Sequence, residues 1–575
     1  MFYSKSYKLK HPNPQFAREN FEILDGIWDF AFDDNKDFVN DFPVDCLKIR
    51  VPFTYQSYNG LNIPTKDNDI IWYHKKIVIT KLYDLIDLVF LGCDYELILY
   101  VNKKYVGKHL GWYDQVRFNI SEFLSLGENE LTIKVVDYKK KDIIRGKQTT
   151  SSIEGCFYEC VTGIYKSVYL EFHEKSYIDN YYLSTSYLNQ KMKLEVNTIN
   201  CVNKILKVEI FENKSLILNK EFEIASDKIV QEIGVNNIKP WSNNNPQLYD
   251  VILTICDEKI IYDKIFTYTG FQDYKVKNGR FYVNEEDTYL KGILYQGYYD
   301  KGFYTGQNED YKKDLLLIKK MGFNFVRIHQ KIEDPRWLYY ADCLGLYCTL
   351  EIPSSKEFSS NYEKNYLKET SRIVLDNINH PCVFSLILFN ESWGINNVKN
   401  DKHIQDFVLS CYNYYKKLYP NLLVCSNDGW EHIKSDICSI HNYVPEGEKL
   451  YLFEKEQYDL LLKNGDALAN EANYHIYADG YKYQNELIIL SEFGGYGLNI
   501  DDSKNAWCYG KASNNVDDYI LKLTNMYHSI KKLDFIRGIC YTQFNDIFPE
   551  LNGIVSIDRK EKIDIKILKK LNDLL

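Results

Sequence analysis

Short apolar runs separated by turn residues fill the first 270 residues of the chain. LVFLG, YELILYVN, ELTIKVVD and KSVYLEF each have the length of a β-strand, and NKK, SLGEN and TGI supply turns between such runs. Around residue 173 the pattern restarts with KMKLEVNTINC, LKVEIFENK, KEFEIAS and YDVILTICD. The pattern predicts two β-rich domains, of which the second is a small sandwich of about ninety residues.

After Gly270 the hydrophobic period changes. EDYKKDLLLIKKMG has the pattern of an amphipathic helix ending at Gly322, and FNFVRIH follows as a buried strand. The same order repeats in DPRWLYYADCLG and LYCTLEIP, in YLKETSRIVLDNIN and VFSLILFNES, and in IQDFVLSCYNYYKKLYP and LLVCSN; it continues with SDICSIHNY, ELIILSEFGG and DFIRGICYTQFND. This alternation predicts an eight-stranded (β/α)8 barrel. A doubly wound sheet is the alternative, although no GxGxxG or phosphate loop is present to serve it.

Composition narrows the class of protein. A chain of 575 residues is too long for one hydrophobic core, and about three domains are expected. A formal net charge of −10 argues against nucleic acid or an anionic membrane as the main partner. The start MFYSKSYKLKHPNPQF has no apolar signal segment, and the fourteen cysteines lie mostly singly in apolar runs. We therefore expect a reduced, cytoplasmic protein without a membrane span.

Polar residues stand at the end of nearly every predicted barrel strand. In a barrel of this class the carboxyl ends of the strands form one rim, where active sites lie. Turn chemistry or a structural ion pair accounts for any one of these residues, but their convergence favours a functional site. The strand ends are Gln296-Gly297-Tyr298, Arg327-Ile328-His329, Glu351-Ile352-Pro353, Asn390-Glu391, Ser426-Asn427-Asp428, His441-Asn442-Tyr443, Ser491-Glu492-Phe493 and Tyr541-Thr542-Gln543.

Glu391 and Glu492 stand out, because each follows an apolar strand, SLILFN and ELIILS. A carboxylate pair suits glycoside hydrolysis, in which one acid protonates the leaving oxygen and the other attacks the anomeric carbon or activates water. Burial and mutual repulsion can separate the two pKa values. Glu351 is a reserve candidate, expected to be a substrate or structural contact.

Neighbouring side chains fit supporting roles at such a pair. Asn390 suits a hydrogen bond to the sugar 2-hydroxyl, and Tyr443 or Arg327 would hold Glu492 ionised and aimed. A serine hydrolase is disfavoured by the absence of a GxSxG elbow. A metal site is disfavoured because His329, Glu351 and His441 are not at a recognisable ligand spacing.

The ordered set of motifs resembles glycoside hydrolase family 2, the β-galactosidase, β-glucuronidase and β-mannosidase group. LDGIWDF, VPFTYQS, WYHKKIVI, RGKQ and TGIYKSVYLE look like the family's sugar-binding jelly roll, and residues 174–268 look like its immunoglobulin-like domain. GFNFVRIH, NHPCVFSLILFNESWG, SNDGWEH and IILSEFGGYG are similar to its catalytic barrel, in the family's order. The resemblance implies a jelly roll at 1–173, an immunoglobulin-like β-sandwich at 174–270 and a TIM barrel at 271–575.

The resemblance also implies roles for individual residues. Glu391 matches the family's acid/base and Glu492 its nucleophile, which implies retention of β-configuration through a covalent glycosyl-enzyme. Asn390 matches the Asn before the acid/base, and Tyr443 matches a Tyr that contacts the nucleophile. Further substrate-contacting candidates are Arg327, His329 and His441 at strand ends, and Trp430, Trp507 and Tyr541, with Trp393, as walls of a sugar pocket.

Departures from the family pattern bear on the substrate. The eighth strand of well-known members ends in Trp, whereas GICYTQFND offers Tyr541. The Asn-x-Lys element of β-glucuronidases is not visible, and NGIVSIDRKEK does not match it. We therefore expect an exo-acting β-galactosidase-type enzyme, with another β-glycoside of the family (glucuronide, mannoside, arabinoside or galacturonide) as the alternative. No metal or cofactor is needed by the mechanism.

Two other functions remain open at the level of sequence. A carbohydrate-binding protein without turnover is disfavoured because both glutamates and Asn390 are present. A transglycosylase would use the same two carboxylates with a different acceptor. The resemblance implies a carbohydrate partner and is compatible with a homo-oligomer. For a retaining enzyme the two carboxyl groups should lie roughly 5–5.5 Å apart, whereas a gap near 9 Å would contradict retention.

Overall fold

The computed structural model describes residues 9–32, 38–66, 69–149, 153, 155–500 and 506–575. The predicted three-part architecture of two β-sandwiches followed by a barrel is confirmed. Residues 1–8, at the start of the stretch predicted to lack a signal segment, lie outside the described part of the chain. Of the helices that are described, none combines the length and the apolarity needed to cross a bilayer. All fourteen cysteines are described, and each is a free thiol.

The first domain is an antiparallel sandwich. A four-stranded sheet in the order β1-β12-β5-β9 packs against a six-stranded sheet in the order β3-β2-β4-β10-β7-β8. Alternate residues of β10, such as Leu131, Ile133 and Val135, are fully buried, as expected for a strand with one face on the core. The strands are β1 Phe21–Ile23, β2 Gly26–Phe32, β3 Leu47–Val51, β4 Asp69–Ile79, β5 Leu85–Phe90, β6 Cys93–Asp94, β7 Glu96–Val101, β8 Lys104–Leu110, β9 Val116–Asn119, β10 Gly127–Asp137, β11 Gly163–Ile164 and β12 Val168–His173.

The second domain is a smaller antiparallel sandwich, with sheets in the orders β13-β14-β17 and β16-β15-β18-β19. Its strands are β13 Tyr177–Ser186, β14 Lys191–Ile199, β15 Ile205–Glu212, β16 Ser215–Glu223, β17 Lys228–Gly234, β18 Tyr249–Cys256 and β19 Ile261–Thr269. A small sheet of β20 Tyr274–Lys277, β21 Arg280–Val283 and β22 Glu286–Asp287 precedes the barrel.

The barrel is a sheet of eight parallel strands in the order β27-β26-β25-β24-β23-β30-β29-β28. Its two end strands are joined by Asp436, whose N–H donates to the Val424 carbonyl at 2.8 Å while its Oδ2 accepts from the Val424 N–H at 2.8 Å. The strands are β23 Leu290–Tyr295, β24 Phe325–Ile328, β25 Tyr347–Glu351, β26 Val383–Ile387, β27 Leu423–Cys425, β28 Ile437–His441, β29 Leu487–Gly494 and β30 Gly538–Thr542. Most are buried along their whole length, which explains their continuous apolar runs.

Seven α-helices in the described residues surround the barrel. The second of them shows how the sequence sets the ends: the Asp334 side chain accepts from the Arg336 N–H, Pro335 opens the helix, and Gly345 closes it at φ 69°. Between β27 and β28 the fully described residues 426–436 form a loop with no helix. The helices are α1 Asn308–Lys320, α2 Pro335–Leu344, α3 Ser360–Asn377, α4 Lys402–Leu418, α5 Gly447–Asn464, α6 Val516–Ile530 and α7 Ile565–Leu574.

Candidate active site

Glu391 lies on a turn directly after β26. Its N–H donates to the Asp428 carbonyl at 2.9 Å, and the Asp428 N–H donates to the Phe389 carbonyl at 2.8 Å, so the turn is tied to the loop after β27. Glu391 and Ser392 both have left-handed backbones, with φ of 50° and 59°. Such conformations persist only where the surroundings fix them, and they cluster at functional sites. The Glu391 side chain is 20% exposed.

Glu492 lies inside β29, and a β-bulge sets its direction. Ile440 pairs with Leu490, but the next residue of β28, His441, pairs with Glu492, so Ser491 is the extra residue. Bulges of this kind re-aim side chains next to active sites. The bulge therefore brings His441 and Glu492 side by side at the carboxyl end of the barrel.

The two glutamates meet at His441. One ligand atom from each of Glu391, His441 and Glu492 lies within 4.8 Å of the other two. His441 Nδ1 is 2.8 Å from Glu391 Oε1, and its Nε2 is 2.6 Å from Asp428 Oδ1 and 3.6 Å from Glu492 Oε1. Burial alone would lower the pKa of His441, but the charges of Glu492 and Asp428 and hydrogen bonds to Asp428 and Glu391 raise it to about 10. The ring is therefore an imidazolium that donates from both nitrogens.

These three side chains also have the spacing of metal ligands, and no other such grouping occurs in the described ranges. A metal-bound histidine offers a lone pair from a neutral ring. Here both nitrogens of His441 face carboxylate oxygens. The arrangement fits a proton donor between acids better than a metal ligand.

Arg327, in β24, is the central cation of the site and is 1% exposed. Its guanidinium donates to Glu351 Oε2 at 2.9 Å, to Glu492 Oε1 at 2.7 Å and to Asn390 Oδ1 at 2.7 Å. The one guanidinium thus donates hydrogen bonds to three of the residues predicted at strand ends. Glu351 in turn accepts from the Gln330 side chain, at 2.8 Å, so this reserve candidate lies in the support of the site.

The surroundings keep Glu492 ionised. Burial would raise its pKa, but the charges of His441, Arg327 and His329 and the hydroxyl of Tyr443 lower it to about 2. Tyr443 donates a short hydrogen bond to Glu492 Oε2. His329 Nδ1 lies 4.0 Å from Glu492 Oε1 and 3.0 Å from Glu351 Oε1. A buried carboxylate with this many donors is suited to act as a nucleophile.

The tryptophans predicted as walls of the sugar pocket contact different parts of the site. Trp430 packs edge-on against His441, with ring centroids 5.6 Å apart. Trp507 lies edge-on to Tyr509, which stacks on Tyr443 with centroids 3.4 Å apart. Trp393 follows Glu391 on the same turn and lies 5.5 Å from the ring of Phe157 in the first domain.

Tyr541 does not contribute a wall. Its side chain is fully buried, and its hydroxyl lies 3.5 Å from that of Tyr519 in α6, on the helix side of β30. The next residue faces the site instead, since Thr542 Oγ1 is 3.1 Å from the Tyr443 hydroxyl. Neighbouring residues of a strand point to opposite faces of the sheet. An assignment that is wrong by one residue therefore places an outward-facing side chain inside the barrel.

Other site residues were not singled out from the sequence. Asp428 Oδ1 accepts from His441 and from the Ser491 hydroxyl, each at 2.6 Å. The β10–β11 loop of the first domain, described at residues 138–149, 153 and 155–162, also reaches the rim: the N–H groups of Arg145 and Gly146 donate to the Ser354 carbonyl, at 3.2 and 2.9 Å. Asp428 was visible as a strand-end acid, whereas RGKQ in the loop was noted only as a motif of the jelly roll, with no sign that it reaches the barrel.

Three family models match the chain in order. "Glycosyl hydrolases family 2, sugar binding domain" matches residues 21–174, "Glycosyl hydrolases family 2" matches 176–272, and "Glycosyl hydrolases family 2, TIM barrel domain" matches 274–573. The chain belongs to glycosyl hydrolase family 2. The resemblance that the motifs carried is thereby confirmed.

Relatives of this chain differ in the activity they are named for. A Formosa agariphila protein named putative beta-glucuronidase is 24% identical over 365 residues, which are 61% of this chain and 43% of that protein. A Thermoanaerobacter pseudethanolicus beta-galactosidase is 27% identical over 345 residues, 57% of this chain and 44% of that protein. The matched region spans less than half the length of either relative.

Solved structures share the whole architecture. Parabacteroides merdae beta-glucuronidase with glycerol in its active site has a TM-score of 0.79 at 17% identity, covering 97% of this chain and 75% of that one. An Eisenbergiella tayi family 2 beta-galacturonidase bound to glycerol has a TM-score of 0.74 at 15% identity, covering 98% and 97%. At these identities the likeness concerns the fold.

Proposed function

We propose that this chain is a retaining exo-β-glycosidase that hydrolyses terminal β-linked sugars through a covalent glycosyl-enzyme. The observation that carries the proposal is the pairing of Glu391 with Glu492. One carboxyl oxygen of each lies within 4.8 Å of one oxygen of the other, which supports the short carboxyl separation, roughly 5–5.5 Å, of retaining enzymes.

The two glutamates have surroundings suited to different roles. Glu492, with a pKa lowered to about 2, is the nucleophile. Glu391 is the acid/base, because its side chain is partly exposed and receives a hydrogen bond from His441 that aims one of its oxygens. Asn390 Nδ2 is buried without a hydrogen-bond partner among the described residues, so it is available to a sugar hydroxyl.

The reaction runs in two displacements. Glu492 attacks the anomeric carbon while Glu391 gives its proton to the departing oxygen, and the C–O bond to the leaving group breaks. Glu391, now a carboxylate, takes a proton from water, which attacks the same carbon and releases Glu492. Two inversions leave the product with the β-configuration of the substrate.

For the glycone we propose a β-galactoside, the activity named for the Thermoanaerobacter relative. A β-uronide is the second candidate, since the Formosa relative and the solved structures are named for glucuronide or galacturonide. A carbohydrate-binding protein without turnover or a transglycosylase would keep the same residues.

The test is hydrolysis of p-nitrophenyl β-galactoside, glucoside, mannoside, arabinoside, glucuronide and galacturonide. Glu492→Ala should reduce turnover to background, and Glu391→Ala should reduce it roughly 10²–10⁴-fold for poor leaving groups. Glu471→Ala, at an exposed site in the barrel, is the matched control and should be fully active. NMR should show the β-anomer forming first.

Added azide separates the two roles. It should restore turnover to both variants, giving an α-glycosyl azide with Glu492→Ala and a β-glycosyl azide with Glu391→Ala. A first-formed α-anomer, or full activity of Glu492→Ala on every substrate that the wild type cleaves, would refute the proposal.

A further inference from the structure

A buried ion pair joins the first domain to the barrel. Lys147, in the β10–β11 loop, places its Nζ 3.2 Å from Glu550 Oε2, in the segment after β30. The side chains are 6% and 3% exposed. A buried pair of this kind is weak evidence of stabilisation, because the cost of removing both charges from water offsets their attraction. The ion pair is therefore of interest for where it lies and not for the stability that it contributes.

The pair lies beside the proposed nucleophile. Burial would lower the pKa of Lys147, but the charge of Glu550, together with the smaller effects of Cys156 and Glu492, raises it. Burial raises the pKa of the Tyr509 hydroxyl, and the charges of Glu550, Glu492 and Glu391 raise it further. Tyr509 stacks on Tyr443, which is bonded to Glu492. Trp507, which lies edge-on to Tyr509, is hydrogen-bonded through its backbone to Pro549 and Leu551, the two neighbours of Glu550. The ion pair therefore lies next to the aromatic stack that contacts the nucleophile.

A chain of buried amides continues from the pair across the barrel rim. Asn552 Nδ2 donates to Glu550 Oε1 at 2.9 Å, Gln543 Nε2 to Asn552 Oδ1 at 2.8 Å, and Gln296 Nε2 to Gln543 Oε1 at 2.6 Å. Gln296 is 1% exposed, yet its Oε1 finds no donor among the residues that the structure describes. An unpartnered buried acceptor at the end of such a chain indicates a ligand that supplies a hydroxyl.

The chemistry of this set suits an uncharged sugar. The Glu550 oxygens retain lone pairs for hydroxyl donors, and Lys147 retains N–H donors for hydroxyl oxygens. The pair has no net charge. A sugar carboxylate brought to the same place would meet Glu550 as a like charge, which is costly in a site shielded from water.

We propose that Lys147 and Glu550, with the amide chain of Asn552, Gln543 and Gln296, read the hydroxyls of the bound sugar and select a neutral hexose over the corresponding uronic acid. The inference rests on the proposed function and adds the residues that determine which sugar the enzyme prefers. The competing explanation is that the ion pair only fastens the β10–β11 loop to the barrel.

Matched substrates test the proposal, because a β-galactoside and a β-galacturonide differ only in the group at C6. We expect the wild type to have the higher kcat/KM for the p-nitrophenyl galactoside. Glu550→Gln removes the like charge and leaves Lys147 available for a carboxylate, so the galacturonide-to-galactoside ratio of kcat/KM should rise about tenfold or more. Lys147→Met leaves Glu550 unpaired and should shift the ratio the opposite way.

Opposite shifts of the kcat/KM ratio in the two variants distinguish substrate selection by the ion pair from a purely structural role. A purely structural pair predicts that both variants lose activity on both substrates equally, with the ratio unchanged. Glu333→Gln is the matched control, because Lys331 and Glu333 form another buried pair, at 3.0 Å and 1% exposed. It should change stability without changing the ratio. A wild type that prefers the galacturonide, or an unchanged ratio in Glu550→Gln, overturns the inference.

Binding provides a readout that does not need turnover. Calorimetric Kd values for galactose and galacturonate should follow the same order and the same shifts in wild type, Glu550→Gln and Lys147→Met. Equal affinities of Glu550→Gln and wild type for galacturonate would overturn the inference. Failure of the proposed function shows separately, as turnover that survives Glu492→Ala.

Discussion

At the scale of single residues, the positive charge of His441 is balanced by the carboxyl groups that face its ring. Three carboxyl groups face it, from Glu391, Asp428 and Glu492, and they come from three different strands or loops. The Arg327 guanidinium also lies 3.2 Å from its Nε2. A neutral ring could donate to only one of the two oxygens that lie within 3 Å. The protonated ring is therefore part of the folded site, and it makes the stability of the site dependent on pH.

The pKa of His441 predicts an alkaline loss of stability. The folded value of about 10 is above the unfolded value of 6.5, so the contribution is complete below pH 6.5 and is lost as pH rises through 10. We expect the free energy of unfolding of the wild type to exceed that of His441→Gln by a few kcal/mol at pH 6 and to approach it at pH 10. Urea unfolding at pH 6, 8 and 10 measures the difference.

An exposed histidine provides the comparison. The side chain of His403 is 66% exposed beside Glu363, so His403→Gln should follow the wild type at every pH. A difference between wild type and His441→Gln that stays constant from pH 6 to pH 10 would show that the ring is neutral in the folded protein.

The sequence identified most polar members of the site because each stands at the end of an apolar strand. Arg327, Asn390, His441, Tyr443 and Glu492 all meet in the structure. It indicated Tyr541 and not Thr542 as a substrate contact, since the choice depends on the twist and bulging of β29 against β30, where the register shifts after Leu490. It also gave no sign that Asp428 would hold His441 rather than simply form a turn.

At the scale of elements, the turn after β26 depends on the loop after β27. Asn427 is fully buried; its Oδ1 accepts from the Ser392 N–H at 3.0 Å and its Nδ2 donates to the Trp430 carbonyl at 2.6 Å. The two loops form one hydrogen-bonded unit that holds Glu391 in its left-handed conformation. The loop is free to do so because no helix separates β27 from β28 in residues 426–436.

Asn427→Ala should loosen this unit. Leaving the Ser392 N–H and the Trp430 carbonyl without partners should cost about 1–3 kcal/mol in the free energy of unfolding. The misplaced Glu391 should lower kcat more for poor leaving groups than for good ones, because proton donation matters most there. Steady-state kinetics on aryl glycosides of graded leaving-group pKa measures this.

Asn421→Ala provides the control, since Asn421 is exposed in the segment that precedes β27. Equal losses for good and poor leaving groups in Asn427→Ala would mean that the turn does not position the acid. The predicted alternation continued through SDICSIHNY and did not include the missing helix, although only residues 428–434 separate LLVCSN from SDICSIHNY. The coupling of the two loops could not be predicted either, since it depends on single side chains meeting across strands.

At the scale of the whole molecule, the β10–β11 loop brings the first domain to the catalytic rim. Gly146 has φ of 65°, and an added Cβ would lie 2.4 Å from the Gln330 carbonyl. The Gln330 side chain donates a hydrogen bond to Glu351, and Glu351 accepts another from Arg327. A clash at the domain interface would therefore be transmitted to the guanidinium that organises the site.

Gly146→Ala and Gly155→Ala form a matched pair. Both glycines have left-handed backbones, but Gly155, at φ 58°, has nothing within 4 Å of an added Cβ. Both substitutions should incur about 1 kcal/mol of backbone strain, and Gly146→Ala about 1–3 kcal/mol more from the clash. Thermal unfolding gives the two costs. Turnover should fall in Gly146→Ala only; equal activity of the two variants would show that the interface does not reach the site.

The architecture of the whole chain was predictable because hydrophobic period alone separates strands from helix–strand repeats. Its assembly was not. Nothing in the sequence around Lys147 points to Glu550, since the pairing depends on where two separately folded domains come together.

That pairing has a consequence for synthesis. Lys147 and Glu550 are 403 residues apart. At about 5–20 residues per second, roughly 20–80 s pass between the emergence of the two from a ribosome. During that interval the first domain can fold while its loop still lacks the barrel segment that it will contact. A chain interrupted before residue 550 therefore carries both glutamates, 391 and 492, and still lacks the interdomain pair, so we expect the site to be complete only near the end of translation.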